Sequence, residues 1–297
     1  MDEYGRLLII GVGALGSAFI SRTREKFSAV GIFDGDIITG ENFKTQPFYS
    51  KCNLDLPVSK AVFTADEMRR EHKNTEYTAY NRYFTEDDID IVKEYDIILD
   101  FTDNIKSRLV VNRAATKYEK PAMFASINES ELSLFFYSKG SACFNCILRN
   151  SSGRAKEGCE AVIPALSDKA VAFMNEKLEE FLSGSLAGEF HVLGLENGGE
   201  INVKIKRDEK CEECETHSLK IGDKGFIQVC SSGIKFSSHT SISLAELENR
   251  INGSSIIGDY LIKKEGRKSL LISSNGDFLF TGYSQEEARK LLSHLFF

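Results

Sequence analysis

The chain has 297 residues, with 37 Lys plus Arg against 44 Asp plus Glu, for a formal net charge of -7. With 42% hydrophobic and 27% charged residues it is no disordered chain, and without a basic excess to neutralise phosphates non-specific nucleic-acid binding is not its main activity. No apolar run reaches membrane length and Met1-Asp2-Glu3 lacks the basic start of a leader, so a cytoplasmic protein with no membrane partner is expected.

Leu7-Leu8-Ile9-Ile10 is a continuous apolar run, the pattern of a strand covered on both faces. It enters Gly11-Val12-Gly13-Ala14-Leu15-Gly16, followed by a helix to about Arg24 and a strand at Ala29–Phe33 that ends at Asp34. A helix over Ser59–Glu71, a buried strand over Asp96–Asp100 and a helix over Asn104–Tyr118 come next, then strands at Pro121–Ser126 and Leu132–Tyr137. Strands alternating with helices predict an α/β fold with a Rossmann-like, doubly wound parallel sheet. Residues 149–166, rich in Ser, Gly and charge, read as a long loop, and a helix is expected from Asp168 to Leu182. Past Phe226 the elements shorten: strands at Phe226–Cys230 and Ile256–Lys263, then a hairpin turning at Asn275-Gly276. A last helix opens on Ser284 and Glu287, spaced as a capping box. Two domains are expected, 1–225 and a small α+β domain at 226–297.

Gly11, Gly13 and Gly16 form G-x-G-x-x-G between a strand and a helix, where backbone N–H groups can approach an anion. Asp34 lies 18 residues after Gly16 at the end of the next strand, placed to accept hydrogen bonds from a ribose. A dinucleotide and ATP both satisfy this pattern.

The stretches that follow separate them. Asp34-Gly35-Asp36, Asn42-Phe43-Lys44-Thr45-Gln46, Ser59-Lys60-Ala61 and Asp100-Phe101-Thr102-Asp103-Asn104, with Arg108 and Asn112, occur in one order. This order resembles the ThiF/MoeB/HesA family, adenylyltransferases related to ubiquitin-activating enzymes, over about residues 7–216. The resemblance implies ATP and Mg²⁺ as cofactors and a small ubiquitin-like or sulfur-carrier protein, or a peptide, as the partner whose carboxylate is adenylated. A homodimer is implied as well. By the same resemblance Gly11, Gly13 and Gly16 hold the nucleotide, Asp34 with Asp36 the ribose side, Lys60 the phosphates and Asp103 the Mg²⁺, while Asn42 and Gln46 position phosphates. The residues alone leave bland readings open: Lys60 as a solvated helix residue, Asp103 as the N-cap of the helix at 104–118. Arg108 and Asn112, one turn apart, read as structural.

Cys143-Phe144-Asn145-Cys146 and Cys211-Glu212-Glu213-Cys214 are two C-x-x-C pairs with 64 residues between them. Each pair suits half of one tetrahedral Zn²⁺ site, which would clip the second half of the adenylation domain together; many family members carry such pairs. A redox pair is the weaker reading, since two pairs occur and neither is expected to open a helix after a strand. Cys159, in Glu157-Gly158-Cys159-Glu160-Ala161-Val162, stands where the family often places a cysteine able to form a thioester or persulfide; an ordinary loop cysteine is the alternative. Cys52 and Cys230 read as unremarkable, Cys230 as core at the end of an apolar strand. The five histidines show no metal-binding cluster, and His191, His217 and His239 are expected in loops or at strand edges.

Three departures from the family pattern stand out. The arginine of its N-L-x-R-Q stretch is Thr45 here, and the glycine before its Lys-Ala step is Pro57. The family's N-terminal helix, whose arginine reaches the partner's site, has no counterpart in the six residues before Leu7. Lys44 is the first candidate to replace the lost cation on the triphosphate. A peptide substrate, or a non-catalytic subunit that binds nucleotide or a ubiquitin-like protein, are the competing functions.

Overall fold

Strand β1 (Tyr4–Ile10) places Leu7 and Ile9 in one apolar cluster and Leu8 and Ile10 in another, so both faces of the sheet are covered. The computed structural model describes residues 4–22, 27–128, 130–150, 164–217, 227–229, 233–238 and 241–296. The chain divides into two units, Met1–Cys52 with Val58–Ile221, and Asn53–Pro57 with Gly222–Phe297.

In the first unit β1 leads through the glycine turn to α1 (Ala14–Ile20) and β2 (Phe27–Phe33). A short α2 (Asn42–Thr45) and a 3-10 turn (Pro47–Lys51) precede α3 (Lys60–Glu71) and β3 (Glu76–Tyr80). A second 3-10 segment (Glu86–Glu94) leads to β4 (Ile97–Asp100), α4 (Ile105–Lys117), β5 (Ala122–Asn128) and β6 (Glu131–Tyr137). Then follow α5 (Phe144–Asn150), α6 (Pro164–Leu182), β7 (Glu189–Gly194), β8 (Glu200–Lys204) and α7 (Glu212–Glu215).

These eight strands form one sheet in the order β3-β2-β1-β4-β5-β6-β7-β8. The first five pair in parallel and the last three antiparallel. This is an α/β fold with a parallel-rich central sheet, and its strand order reverses between β1 and β4. Open α/β sheets bind ligands at such a switch point, beyond the carboxyl ends of the strands.

The helices α1, α3 and α6 cover one face, and α4 and α5 with the segment 86–94 cover the other. The helix expected to start at Asp168 begins at Pro164, a residue suited to a first helical position. His191 departs further from its expected place: it sits in the middle of β7 and is buried, with Glu189 and Glu200 each 3.3 Å from its ring nitrogens. The buried alternation of His191 and Leu193 marks the inward face of this strand, which the charged sequence around it hides.

The second unit contains β9 (Ile227–Val229), β10 (Gly233–Ser237), α8 (Leu244–Arg250), β11 (Ser254–Ile257), β12 (Tyr260–Glu265), β13 (Lys268–Ser273), β14 (Asp277–Thr281) and α9 (Gln285–Phe296). Its sheet runs β11-β12-β13-β14-β10-β9, and its own core joins Leu261, Leu270, Ile272, Phe278 and Phe280 to Ala288 and Leu292. The single strand expected over Ile256–Lys263 is a hairpin, because Gly258, at φ +57°, turns the chain between two apolar pairs. Ser284 and Glu287 exchange the two bonds of a capping box, Ser284 N–H to Oε2 at 2.9 Å and Glu287 N–H to Oγ at 3.2 Å. Among the described residues no helix is long and apolar enough to cross a membrane.

Candidate functional site

The glycine turn is a matter of space. Gly11 has φ +90°, and a Cβ there would come within 3.1 Å of the Phe101 backbone. A Cβ on Gly16 would lie 2.2 Å from the Gly11 carbonyl oxygen, so α1 packs against the turn only because this position has no side chain. Gly13 faces open space, leaving the mouth between β1 and β4 clear.

Asp34 closes this turn from the neighbouring strand. Its Oδ2 accepts the Val12 N–H at 2.8 Å and its Oδ1 accepts the Asp36 N–H at 2.8 Å. Asp36 in turn lies between Lys60, whose Nζ is 3.4 Å from Oδ2, and Tyr83, whose hydroxyl donates to Oδ1 at 2.6 Å.

Lys60 is the first residue of α3, after the N-cap Ser59, and is only 5% exposed. That burial overturns the solvated-helix reading. Burial by itself lowers the Lys60 ammonium, but Asp36, Asp34 and Asp103 outweigh it and raise its pKa above the ordinary 10.5. Lys60 is therefore a fixed cation, and the charge of Asp103 reaches it from the end of β4. Asp103 is not the N-cap of α4: Asn104 is, its Oδ1 accepting the Ser107 N–H at 2.8 Å.

Tyr49 and Thr64 were not legible as site residues. The Tyr49 hydroxyl, fully buried, donates to the Val12 carbonyl at 2.6 Å and lies 3.2 Å from Thr64 Oγ1. Burial first, and then the charge of Asp34, push its pKa well up, so it stays a neutral donor beneath the turn. Gln46 is 9% exposed and its buried Oε1 has no hydrogen-bond partner among the described residues. Asn42 spends its Oδ1 on Thr39, accepting N–H at 2.9 Å and hydroxyl at 3.3 Å, while Lys44 is exposed on α2. Cys159 lies outside the described residues, as does Cys230.

At the end of β4, Asp100 is fully buried and accepts the Thr102 N–H at 2.8 Å. Burial raises its pKa, opposed mainly by the charge of Arg108. Arg108 donates to the carbonyls of Thr102 at 2.6 Å and Ala125 at 2.8 Å, which fixes the loop carrying Asp103 to β5.

The four cysteines converge elsewhere in this unit. Cys143, Cys146, Cys211 and Cys214 place their sulfurs within 4.8 Å of one another. Three of the separations are 3.9, 3.7 and 3.6 Å. Sulfurs tetrahedrally arranged about Zn²⁺ at about 2.3 Å would stand about 3.8 Å apart, so the donor set fits a tetrahedral thiolate metal site such as zinc. Both pairs do open a helix, contrary to expectation: α5 and α7 begin just after Cys143 and Cys211. In each, the second cysteine's N–H returns to the first one's carbonyl at 3.0 Å, which turns both thiols to one side. Convergence of all four sulfurs, not the absence of a helix, is what separates this cluster from a redox pair. Asn145 Nδ2 lies 3.3 Å from Cys211 Sγ and steadies it from outside. The packed sulfurs favour ionisation of Cys146, through bonds from Cys143 and Cys214, and oppose it at Cys143.

Fold and site define a Rossmann-like α/β protein whose switch-point crevice holds a lysine among aspartates and whose second half carries a four-cysteine cluster. The chain belongs to the ThiF family, which it matches over residues 3–223. It is 25% identical over 223 residues to the adenylyltransferase and sulfurtransferase MOCS3 of Xenopus laevis, covering 71% of this chain and 49% of that protein. It is 30% identical over 146 residues to the sulfur carrier protein ThiS adenylyltransferase of Bacillus subtilis, covering 48% of this chain and 44% of that one. The chain thus spans about half the length of these curated relatives. Among solved structures, E. coli MccB superposes with a TM-score of 0.60 at 16% identity, over 74% of this chain and 67% of that one, a likeness of fold.

Proposed function

We propose that this protein adenylates the C-terminal carboxylate of a small ubiquitin-like or sulfur-carrier protein at the expense of ATP. The observation that carries this reading is Lys60: a buried ammonium held by Asp36 beside Asp34, with the charge of Asp103 reaching it, at the switch point of the sheet. The family and the names of its relatives, two of them adenylyltransferases, support it.

In this reading a carboxylate oxygen of the carrier attacks the α-phosphorus of ATP, the bond to the bridging oxygen breaks, and pyrophosphate leaves. The acyl-adenylate stays behind. The turn at Gly11, Gly13 and Gly16 admits the phosphates close to the main chain, and the Asp34 carboxylate at the end of β2 accepts the ribose hydroxyls. Lys60 stabilises negative charge that grows on the phosphate oxygens during the attack. Asp103 would hold Mg²⁺, which supplies charge neutralisation on the leaving pyrophosphate. Gln46 and Asn42, through the N–H groups of their amides, position the phosphate end, and Lys44 stands in for the arginine that Thr45 replaces. Zn²⁺ on the four cysteines would be structural. The Cys159 thiolate would then attack the acyl carbonyl, releasing AMP and leaving a thioester.

Labelled pyrophosphate exchanges into ATP only when the acyl-adenylate forms reversibly. We expect exchange dependent on a Gly-Gly-ending carrier and abolished in Asp103→Ala. Exchange supported by a ribosomal peptide instead would move the substrate to the class suggested by the likeness to MccB, whose structures include complexes with ATP and with MccA. No exchange with any carrier or peptide, with nucleotide still bound, would overturn the enzymatic reading in favour of a binding subunit. A Cys159 adduct by mass spectrometry that persists in Cys159→Ala would remove that residue from the reaction.

A further inference from the structure

Tyr49 lies beneath the glycine turn and takes no part in the chemistry described above. It is fully buried beside Ile38 and Cys52, with the rings of Phe48 and Phe63 centred 5.3 and 5.7 Å from its own. Its main chain is held as well: its N–H donates to the Gln46 carbonyl at 3.0 Å, and its carbonyl accepts the Cys52 N–H at 2.9 Å. A ring fixed in this way delivers its hydroxyl to one place.

That place is the turn. The hydroxyl meets the Val12 carbonyl at 2.6 Å and Thr64 Oγ1 at 3.2 Å. A phenol has a single proton and a carbonyl can only accept, so the proton goes to Val12 and Thr64 donates the second bond. Thr64 is itself fully buried, one helical turn after Lys60 on α3, and Gln46 stands three residues before Tyr49. One hydroxyl thus ties the glycine turn to the segments that carry Lys60 and Gln46.

Val12 is held on both sides, because Asp34 Oδ2 accepts its N–H at 2.8 Å. No peptide bond among the described residues is cis, and in a trans peptide one residue's carbonyl and the next residue's N–H point in opposite directions. With the Val12 carbonyl drawn onto Tyr49, the Gly13 N–H is turned the other way. A Cβ on Gly13 would meet nothing within 4 Å, so the main chain is open to a ligand here. Among the described residues the Gly13 N–H has no main-chain acceptor.

We propose that Tyr49 is a positioning residue for the phosphates of ATP, holding the Val12–Gly13 peptide with its N–H aimed into the crevice. This rests on the reading that the crevice takes ATP, and it names the group that sets the turn before the nucleotide arrives. A peptide free to rotate would present the Val12 oxygen to a phosphate oxygen and repel it, whereas a fixed donor needs no reorganisation. The nucleoside end of ATP has no share in this contact, so the effect is selective for the phosphates.

Calorimetric titration of the full-length protein with ATP and with adenosine tests that selectivity. Tyr49→Phe keeps the ring and deletes the hydroxyl; ATP affinity should fall about 10-fold while adenosine affinity stays within about 2-fold. Thr64→Val, which leaves the phenol and removes the donor behind it, should shift the ratio of the two affinities the same way by about 2- to 3-fold. It carries the test should Tyr49→Phe fail to fold. Met68→Ala opens a cavity on the buried face of α3, two turns beyond Lys60, and should lower the unfolding temperature without changing the ratio. Unchanged ATP affinity in Tyr49→Phe, or equal weakening of ATP and adenosine, would overturn the inference. Adenylation has a separate readout: a wild type that binds ATP without exchanging pyrophosphate would overturn the catalytic reading and leave the affinity ratio to decide the role of Tyr49.

Discussion

Asn112, fully buried on α4, accepts the main-chain N–H of Phe144 through its Oδ1 at 2.7 Å. Phe144 is the residue after Cys143, so the bond anchors the first cysteine pair to a helix whose other end serves the crevice. There Asn104 caps α4 and Arg108 holds the Thr102 carbonyl, and between the two ends Arg113 pairs with the buried Glu213 of the second cysteine segment at 3.1 Å. One helix thus fixes the loop carrying Asp103 and both segments that bear the cysteine cluster.

Removing the acceptor tests that anchor. Asn112→Ala leaves the buried Phe144 N–H without a partner, for which we expect a loss of about 1–3 kcal/mol in urea unfolding. Arg108→Ala should loosen the crevice end instead, through two carbonyls left unpaired. Additive losses in the double variant would show that the two ends of α4 act independently; coupling would show that the helix transmits strain between them.

The pattern of β1, the glycine turn and β2 was readable because apolar runs and glycines act locally, and so were the four cysteines, whose spacing already limits what one ion can span. The order of Asp34, Asp36, Lys60 and Asp103 pointed to one crevice, and the parallel register of β1 with β2 and β4 brings their segments there. Tyr49, Thr64 and Tyr83 were not readable: each is defined by a bond to a residue at least 15 positions away in sequence. His191 was misplaced for a related reason, since its burial depends on α6 and β8 packing around it rather than on its neighbours. The hairpin at Gly258 was hidden because apolar residues flank the turn on both sides and read as one strand.

Lys60 should stabilise the fold as well as serve the crevice. Lys60→Met removes the cation paired with Asp36, and we expect a loss of about 2 kcal/mol at pH 8, below the ~3–5 of a fully buried pair because Asp36 retains contact with water. The folded-state pKa of Lys60 is raised, so its contribution is complete below the ordinary 10.5 and declines as pH rises through the folded value. The stability difference between wild type and Lys60→Met should therefore be constant from pH 7 to 9 and shrink toward pH 11. A difference that grows with pH in chemical unfolding would contradict the arrangement.

Metal content and stability should fall together. Elemental analysis should find about one zinc per chain in the native protein and less in Cys211→Ser, whose thiolate is one of four donors. Chelation should lower the unfolding temperature and release Arg113 and Glu213 from their buried contact, since α7 has only four residues to hold itself. Oxidised cysteine pairs in place of the metal, found by mass mapping in freshly prepared protein, would return the cluster to redox chemistry.

The family pattern places a cation where Thr45 stands. Lys44 is exposed on α2, one residue before Thr45 and two before the buried Gln46, so a long flexible stem there can reach a phosphate that a fixed side chain cannot. If it stands in for the arginine, Lys44→Ala should lower carrier-dependent pyrophosphate exchange about 10- to 100-fold, or about 1.4–2.7 kcal/mol of transition-state stabilisation. Thr45→Arg in the Lys44→Ala background should recover part of it, because the guanidinium restores a bidentate donor at the family position. A Lys44→Ala variant with unchanged exchange, alongside a Thr45→Arg variant that gains nothing, would mean that the charge on the triphosphate is met from outside this chain.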